Sequence, residues 1–558
     1  MKLPRTSGWT RPLLLLLLAL AIPLVRAETA DCTSCHDQGQ KVAKSAHAGV
    51  ACTTCHLKHD SYPHPEGVPK PACTGCHTNQ ATDYEKGVHG QAVKKGNAGA
   101  PDCALCHGSA HELLSPKSQA FRTAVPETCN MCHSEVVEQY RASVHGQALA
   151  KGIPQAPLCT DCHGEHAILA PSNANSPVAA THVRETCGNC HGNVQLSRRF
   201  GIPSDRLVTF DASFHGLAAK SGNQTVANCA SCHGVHNILP SADPKSTINA
   251  KHLPQTCGKC HQGAGQRFAI TPVHVIEGRT EPSAVRWTRQ FYLVLIPLTL
   301  GFMLMHNFGD WVRKLYKLRA GPAMRPHVEI DQYTPEVRML GFERVQHIVL
   351  VVSFVTLVWT GFALKYPDQW WARPLLVWEG ARSMRSLIHR IAAVVFIAVS
   401  VTHLISLIVS RKLRDHWKEM WPKASDATEA LANLSYNVGV RSVPPGRSAH
   451  SYIEKAEYWA VVWGAIVMAG SGIMLWANNL MLKLLPKTWL DVATTVHFYE
   501  AVLATLAIVV WHFYSVIFDP DVYPMDTAWY AGVSVKKHEV QKSTQPSEEE
   551  KEVEAAKQ

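Results

Sequence analysis

Five long apolar segments follow one another in the second half of the 558-residue chain, and none of them contains lysine or arginine. A helix needs about 20 apolar residues to cross the hydrocarbon core of a bilayer, and each segment is long enough. The segments are residues 290–309, 345–364, 391–410, 458–482 and 492–518. The pattern predicts an all-α transmembrane helical bundle of five helices within residues 287–520.

A shorter apolar run, residues 13–25, follows the basic residues Lys2, Arg5 and Arg11 and ends just before Ala27. This order of charge, apolar run and small residue predicts a signal peptide over residues 1–27 that is removed on export. Because Arg26 is unusual directly before a cleavage position, a retained membrane anchor is the alternative. Either outcome places the following residues outside the cytoplasm.

The loops between the apolar segments differ in basic content. Residues 310–344 carry seven Lys and Arg and residues 411–457 carry eight, whereas residues 365–390 and 483–491 are poorer. Cytoplasmic loops are enriched in basic residues, so the two rich loops are expected in the cytoplasm. The prediction is a bacterial inner-membrane protein with a periplasmic N-terminal domain, five spans and a cytoplasmic C-terminus. Residues 521–558, whose last part is acidic, are expected to form a disordered cytoplasmic tail.

Residues 28–286 show neither sustained helical nor strand periodicity, and Gly, Pro, Ser and Asn interrupt them throughout. We therefore expect short helices and loops with little sheet, packed around bound groups. All 18 cysteines lie in this region, in nine copies of Cys-x-x-Cys-His. The nine pairs are Cys32 and Cys35, Cys52 and Cys55, Cys73 and Cys76, Cys103 and Cys106, Cys129 and Cys132, Cys159 and Cys162, Cys187 and Cys190, Cys229 and Cys232, and Cys257 and Cys260.

A single pair of this kind could be a zinc knuckle, a redox dithiol or a disulfide. Nine pairs, each followed directly by histidine, favour c-type haem, because two thiols on one turn bond to the haem while the adjacent imidazole binds the iron. The sequence thus predicts a multihaem c-type cytochrome domain with nine covalently bound haem c. The proximal iron ligands would be His36, His56, His77, His107, His133, His163, His191, His233 and His261.

Three internal repeats, at about residues 86–141, 142–211 and 212–275, order most of these motifs. Each contains a His-Gly pair fourteen residues before the first cysteine of a motif. Twelve histidines outside the motifs could serve nine irons as second axial ligands, which favours an electron wire over a substrate-reducing haem. We expect the distal ligands to be His47, His59, His64, His89, His111, His145, His166, His215 and His236. His182, His252 and His274 would be surplus.

Six histidines lie in or beside the apolar segments, where a polar ring is costly. They are His306, His347, His389, His403, His497 and His512. His389 and His403 are fourteen residues apart and His497 and His512 fifteen, which is about four helical turns. Two helices that present imidazoles at two matching depths could bind two stacked haem b. Capping of helix ends or hydrogen bonding within the bundle is the alternative, and depth alone would pair His403 with His512.

The motifs Arg344-Val-Gln-His347, Trp359-Thr-Gly361 and Leu387-Ile-His389-Arg390, followed by the helix with His497 and His512, resemble the dihaem cytochrome b subunit of formate dehydrogenases and nickel-iron hydrogenases. The resemblance covers residues 343–520. It implies that His347 and His512 bind an inner haem b and that His389 and His497 bind an outer one. Two departures are the fifteen-residue spacing on the last helix, where that family has fourteen, and the additional His403.

The fusion of nine c-type motifs to such a domain is similar to CbcL-type inner-membrane cytochromes of metal-respiring bacteria. This resemblance implies oxidation of menaquinol from the membrane quinol pool, with electrons passed to a soluble periplasmic multihaem cytochrome c in anaerobic respiration. The candidate quinone and proton groups are His403, His306, Glu343 and Glu500. An interfacial position is the alternative for Glu500.

Other functional classes find little support. The chain has no Gly-x-Gly-x-x-Gly nucleotide fingerprint and no phosphate-binding loop, no cysteine remains for an iron–sulfur cluster, and we expect no nucleic-acid partner. Two alternatives stay open. The protein could be an electron-transfer subunit docked to a cytoplasmic dehydrogenase, or a terminal reductase in which one haem c iron keeps an open position for a small substrate.

Overall fold

The computed structural model describes residues 32–59, 62–67, 70–265, 273–276, 279–319, 336–379, 383–442 and 450–534. The chain divides into two compact units, of which the first ends at Pro177 and the second begins at Val178. The predicted signal peptide, residues 1–27, and the last part of the predicted tail, residues 535–558, lie outside the described residues.

The first unit consists of short helices joined by turns, as the interrupted sequence predicts. Two single 3₁₀ turns, Cys32–Ser34 and Cys73–Gly75, carry the first and third cysteine motifs. The α-helices are Gln38–Val42, Cys52–Cys55, Thr78–Lys86, Val88–Lys94, Cys103–His107, Gln119–Asn130, Ser134–Ala142, Val144–Ala150 and Cys159–His163. A small apolar cluster of Val125, Leu149, Ala156 and Leu158 is buried between them. Such a cluster is too small to organise the unit alone, so bound groups are needed to complete the packing.

The first part of the second unit repeats the same local pattern. Its helices are Val183–His191, Val194–Arg199, Arg206–Ala212, Phe214–Lys220, Cys229–His233 and Leu253–Gly258. Ser213 caps the Phe214 helix by accepting a hydrogen bond from the amide of Gly216, as Ser143 does for Gly146 in the first unit. These side-chain caps satisfy amides that a helix start would otherwise leave without a partner.

The glycine of each His-Gly pair is required by close packing. A Cβ atom at Gly146 would lie 2.2 Å from the carbonyl oxygen of Tyr140, and one at Gly216 would lie 2.1 Å from that of Phe210. The tight approach of two successive helices therefore leaves room for no side chain there. It fixes the direction in which the neighbouring histidine, His145 or His215, leaves its helix.

Within the described residues, five helices are long and apolar enough to cross a membrane, which confirms the predicted all-α bundle. We call them spans 1 to 5, and they are Ser283–Arg319, Gly341–Lys365, Met384–Val409, Tyr452–Trp476 and Lys487–Ala507, the last continued to Phe518 by π-helical turns. Span 4 ends at Trp476, earlier than the apolar pattern predicts. A separate short helix, Asn478–Leu484, follows it after a break at Ala477. The remaining short helices of this part are Arg373–Leu376, Arg411–Lys418 and Ala424–Asn437.

Span 5 contains two π-helical segments, Ile508–His512 and Tyr514–Phe518. A π-turn accommodates one more residue than an α-turn, so it absorbs the fifteenth residue between His497 and His512. The turn changes the backbone hydrogen-bond pattern, and Asn307 of span 1 donates from Nδ2 to the carbonyl oxygen of Val510 at 2.6 Å. That carbonyl therefore has a partner inside the bundle, as an apolar environment requires.

Residues 521–534 differ from the expected disordered tail. They contain the helix Ala528–Ala531 and a two-residue strand, Val533–Ser534, which pairs antiparallel with Glu336–Val337. This is the one sheet in the part of the chain that the structure describes. The segment is held by polar contacts, since the Ser534 hydroxyl donates to the Asp526 carboxylate at 2.6 Å.

Candidate haem sites

The six histidines of the bundle separate into two facing pairs and two others. The ring centres of His389 and His497 are 6.4 Å apart, and those of His347 and His512 are also 6.4 Å apart. With about 2.0 Å from each nitrogen to a shared metal, two axial imidazoles would have their ring centres about 6.3 Å apart. Both pairs therefore have the separation that axial ligands of one iron require. His403 lies elsewhere and does not face His512 as depth alone suggested.

The 389/497 pair is held in one tautomer by two hydroxyl groups. Thr360 donates its only hydroxyl proton to the Thr356 carbonyl at 2.6 Å and lies 2.8 Å from Nδ1 of His389. With the hydroxyl proton directed at that carbonyl, Nδ1 of His389 carries the ring proton and donates it to Oγ1 of Thr360. This leaves Nε2 with a free lone pair, which is the state that a metal ligand needs.

His497 is held in the same way. The Ser471 hydroxyl donates to the Val467 carbonyl at 2.7 Å and lies 2.9 Å from Nδ1 of His497. Close to the rings, Gly472 keeps space open, since a Cβ atom there would lie 3.2 Å from Cε1 of His497, whereas one at Gly361 would make an ordinary contact of 3.5 Å with Cε1 of His389. The residues of this pair thus fit a haem b.

The 347/512 pair has a different environment. Nδ1 of His512 lies 2.9 Å from a carboxylate oxygen of Glu457, whose other oxygen accepts a hydrogen bond from Ser515 at 3.1 Å. Nδ1 of His347 is buried and has no hydrogen-bond partner among the described residues. Sequence reasoning missed Glu457, because it placed this residue at the end of the cytoplasmic loop, whereas span 4 begins at Tyr452.

His403 belongs to a separate polar cluster. Its Nδ1 lies 3.1 Å from Oε1 of Gln346, and its Nε2 lies 2.9 Å from the Tyr458 hydroxyl. Trp417 donates to that hydroxyl at 2.7 Å, so the Tyr458 proton is directed at His403. Nearby, Glu343 lies 3.1 Å from Nδ1 of His416. Hydrogen bonding to Glu343 raises the pKa of His416 above its ordinary value.

His306 and Glu500, the other two predicted polar candidates, each have partners within the bundle. His306 is 2% exposed and bonds to the Tyr452 hydroxyl and to the side chain of Asn307. Glu500 accepts a hydrogen bond from Tyr292 at 2.8 Å. The structure therefore places Glu500 on a contact between spans 1 and 5.

One connected cavity of about 3830 Å³ joins these groups within the second unit. It is lined by both facing histidine pairs and by His403. It is also lined by His215 and His261 of the c-type region, which is our name for residues 28–286 with the cysteine motifs. The c-type region meets the bundle at the start of span 3, where Asn223 donates to the Ser383 hydroxyl at 2.7 Å. The 389/497 pair thus lies at the end of the bundle that faces the last cysteine motif.

The cysteine motifs form single turns that bring each motif histidine close to its two cysteines. The amide of the motif histidine donates to the carbonyl oxygen of the first cysteine, at 3.0 Å for His36, 2.9 Å for His133 and 2.9 Å for His261. The two thiols and the imidazole therefore leave the backbone within one turn, as attachment of one haem c requires.

Most of the second cysteines of these motifs lie at the surface of the polypeptide. Cysteines with inert thiols are among the most buried residues of a protein. The exposure of these cysteines is therefore expected of thiols that bond to a group at the surface. The exposed ones are Cys35, Cys55, Cys76, Cys106, Cys132, Cys190 and Cys260, whereas Cys162 and Cys232 are half-buried. The sequence pattern contained no signal for this difference in exposure.

The c-type region also contains facing histidine rings. In the first unit, ring centres lie 6.1 Å apart for His36 and His64, 6.0 Å for His47 and His77, 5.9 Å for His56 and His111, 6.3 Å for His89 and His133, and 6.0 Å for His107 and His166. His59 also contacts His56, at 5.4 Å and edge-on. Each pair joins a motif histidine to one outside the motifs.

In the second unit, His215 faces His261 at 6.1 Å and His233 faces His274 at 6.4 Å. The sequence set His274 aside as surplus, because it lies after the last motif and is not one of the histidines with a fixed position in each repeat. The structure instead holds it against the Thr209 hydroxyl at 3.0 Å and opposite His233. Burial lowers the pKa of His215, His233 and His274, which keeps the rings neutral as iron ligation requires.

Comparison with known proteins gives one family match and one curated relative. Residues 284–524 match the family described as prokaryotic cytochrome b561. The chain is also similar to the multiheme cytochrome MtrA of Shewanella baltica strain OS185, with 27% identity over 207 residues. The match covers 32% of this chain and 59% of that relative, and so less than two thirds of the relative's length. No solved structure matches the chain significantly. Together with the five spans, these matches support a membrane protein of haem-based electron transfer.

Proposed function

We propose that the chain is an inner-membrane quinol:cytochrome c oxidoreductase, which oxidises menaquinol and delivers electrons to a soluble periplasmic multihaem cytochrome c. Two haem b and nine haem c, when bound, supply one-electron transfer between these partners in anaerobic respiration with extracellular metal acceptors. The observation that carries the proposal is the cavity that joins two facing histidine pairs in the spans to His261 of the last cysteine motif and to His215, which faces it. Residues of the chain hold the haems, bind the quinol and accept its protons.

Four span histidines hold the haem b groups in this proposal. His389 and His497 are the ligands near the periplasm, and His347 and His512 are the ligands near the cytoplasm. The orientation follows from the basic loops and from the contact of the c-type region with the start of span 3. Hydrogen bonds from Nδ1 to Thr360, Ser471 and Glu457 orient three of the four rings.

The nine motif histidines are the proximal ligands of the c-type haems, with the facing rings as distal ligands. The two cysteines of each motif carry the covalent bonds, and the exposed second cysteines favour this role. Seven of the facing rings are His64, His111, His47, His166, His89, His274 and His215, opposite His36, His56, His77, His107, His133, His233 and His261. A haem held by two histidines would have no open iron position, which at these seven sites favours electron transfer over reduction of a small substrate.

The quinol site is placed beside the 347/512 pair. Three buried polar atoms without a partner among the described residues belong to residues that line the cavity there: Nε2 of Gln346, Nδ1 of His347 and Nε2 of His416. Buried polar atoms are normally hydrogen-bonded, so a ligand with hydroxyl or carbonyl groups would satisfy them. The surrounding wall is largely apolar, as a quinone ring and tail require.

Oxidation of one quinol to quinone releases two electrons and two protons. His403 and Glu343 are placed to accept the protons, because both lie in the same polar cluster as Gln346. Glu343 bonds to His416, whose ring centre lies 5.4 Å from that of His450. His450 in turn lies 3.5 Å from the exposed carboxylate of Glu419. These groups form a chain for protons from the cluster to the cytoplasmic loop.

His306 and Glu500 have secondary roles in this proposal. His306 is engaged by Tyr452 and Asn307, so it supports the bundle rather than the quinol. Glu500 lies one turn after His497 and can relay a proton or bond to a haem propionate near the periplasm. Release of quinol protons into the cytoplasm sends the electrons outward along the membrane field. This assists transfer by about 2.3 kcal/mol per charge per 100 mV and dissipates the potential.

The test is stopped-flow reduction of membranes containing the protein by a menaquinol analogue, with the haem b and haem c bands followed separately. We expect fast reduction of both bands, abolished by Gln346→Leu and preserved in a matched variant of the first unit, Gln139→Leu, whose side chain bonds at the surface to Glu135. Haems that stay oxidised until a cytoplasmic dehydrogenase is added would instead indicate a docked electron-transfer subunit. A high-spin haem c signal that responds to nitrite would indicate a terminal reductase.

A further inference from the structure

The two facing histidine pairs in the spans differ in the charge of the groups behind them. His389 and His497 are backed by the neutral hydroxyls of Thr360 and Ser471. His512 is backed by the carboxylate of Glu457 at 2.9 Å. The sequence offers no reason for this asymmetry, since all four rings are histidines in similar apolar surroundings.

A carboxylate behind an axial imidazole changes the ligand. It attracts the Nδ1 proton, makes the ring more electron-donating and adds a negative charge one ring away from the iron. All of these effects favour the ferric state, whose charge is more positive, and so lower the reduction potential. A neutral hydroxyl that only accepts a hydrogen bond has a much smaller effect.

Charges of both signs lie near the 389/497 pair, since Glu500 lies one turn after His497 and accepts a hydrogen bond from Tyr292. Arg385 and Arg390 lie on span 3 within one turn of His389. Arg385 is compensated by the buried carboxylate of Glu379 at 3.6 Å, whereas Arg390 stacks over Trp476 at 5.6 Å. A positive charge near an iron favours the ferrous state and raises the reduction potential.

We propose that Glu457 is a positioning residue that makes the haem b at the 347/512 pair the lower-potential group, so that electrons run downhill toward the 389/497 pair. The inference rests on the proposed haem ligands and adds the preferred direction of transfer. It assigns that direction to one carboxylate, because within the described residues no other ligand ring among the four has a charged partner at Nδ1.

The experiment is a mediated redox titration of the full-length protein in membranes, followed in the haem b band and by low-temperature electron paramagnetic resonance. We expect Glu457→Gln to raise the lower haem b midpoint by at least the equivalent of a tenfold change in the redox equilibrium, about 59 mV for one electron. The other haem b midpoint should stay in place. Glu457→Asp keeps the carboxylate on a shorter side chain and should retain the low potential. Together the two variants distinguish the effect of the negative charge from the effect of side-chain size.

The matched control is Glu454→Gln, which removes the same charge one turn away on span 4, where Glu454 contacts Arg338 and His450. It should leave both haem b midpoints unchanged. Unchanged midpoints in Glu457→Gln, or a rise in the higher one, would overturn the inference. Because the mediators reduce the haems chemically, this result is independent of whether menaquinol is the donor.

If Glu457→Gln loses its haem b, single-haem variants decide the question. His389→Ala should leave only the haem at the 347/512 pair, and His512→Ala only the haem at the 389/497 pair. The inference requires the first to titrate at the lower potential. The reverse order would overturn it.

Discussion

Removing the hydroxyl of Thr360 tests whether a backbone-anchored hydroxyl prepares His389 for its metal. Valine keeps the branched shape of threonine in a fully buried position but cannot accept the Nδ1 proton of His389. Loss of such an outer partner typically weakens metal binding 10–100-fold, which is about 1.4–2.7 kcal/mol. We therefore expect Thr360→Val to bind haem b at the 389/497 pair about 10–100-fold more weakly.

The assay is titration of haem into detergent-solubilised protein that has been depleted of haem b, followed in the low-spin absorption band. Wild type should show two binding steps, and Thr360→Val should weaken only one of them. Thr356→Val is the matched control, because Thr356 lies one turn earlier on the same span and its hydroxyl donates to the Val352 carbonyl of its own helix. Ser471→Ala should reproduce the effect from the other ring. Two unchanged steps in Thr360→Val, or weakening of the step that is lost in His512→Ala, would refute the reasoning.

Four further variants test other parts of the structure. Gly146→Ala places a Cβ atom 2.2 Å from the Tyr140 carbonyl oxygen and should reduce c-type haem incorporation, measured on haem-stained gels. The control is Gly99→Ala, where the nearest atom to the new Cβ would be a side-chain oxygen at 3.4 Å. Equal incorporation in the two variants would contradict the packing role of Gly146. Asn307→Leu leaves the Val510 carbonyl without its partner and should destabilise the bundle by about 1–3 kcal/mol in detergent unfolding; an unchanged midpoint would contradict the role given to Asn307. His274→Ala should convert the haem held by Cys229 and Cys232 to high spin in electron paramagnetic resonance, whereas His252→Ala, which removes a ring bonded to the Ser246 carbonyl, should leave every haem c low spin. Glu343 raises the pKa of His416, so their ion pair stabilises the fold fully below a pH of about 6.5 and loses that effect as the pH rises through the raised pKa. The difference in melting temperature between wild type and Glu343→Gln should therefore shrink over that pH interval. A difference that does not change with pH would contradict the role of this ion pair.

The apolar pattern predicted the five spans, because a run of about 20 apolar residues without charge has few other stable arrangements. It located span 4 less well, since Tyr452 to Glu457 are polar enough to resemble a loop, and this is why Glu457 was missed. The candidates His347, His389, His497 and His512 came from residue type and spacing together with a family resemblance. Their separation into two facing pairs required the packing of spans 2, 3 and 5.

Other features depend on contacts that no local pattern contains. His274 lies at the very end of the last repeat and carries no spacing signal, yet its ring lies opposite His233 and 3.0 Å from the Thr209 hydroxyl. Thr360 and Ser471 are ordinary small polar residues of a span, and only the direction of their hydroxyl protons reveals what they do for His389 and His497. The choice between His403 and His347 as the ring facing His512 likewise depended on tertiary geometry, since both stand at suitable depths in sequence.

The π-helical turn of span 5 changes the direction in which His512 leaves the helix relative to His497. Between His497 and His512 the helix holds one residue more than a regular α-helix would need to present both rings toward their partners. Deleting one residue from the segment Ile508–His512 should therefore convert the π-turn to α-helix and leave the two rings aligned. After the same deletion between His497 and Ala507, the rings could stay aligned only if the π-turn further along the helix became α-helical. The π-helical segment therefore allows this span to lose one residue at that point without changing which partner each histidine meets.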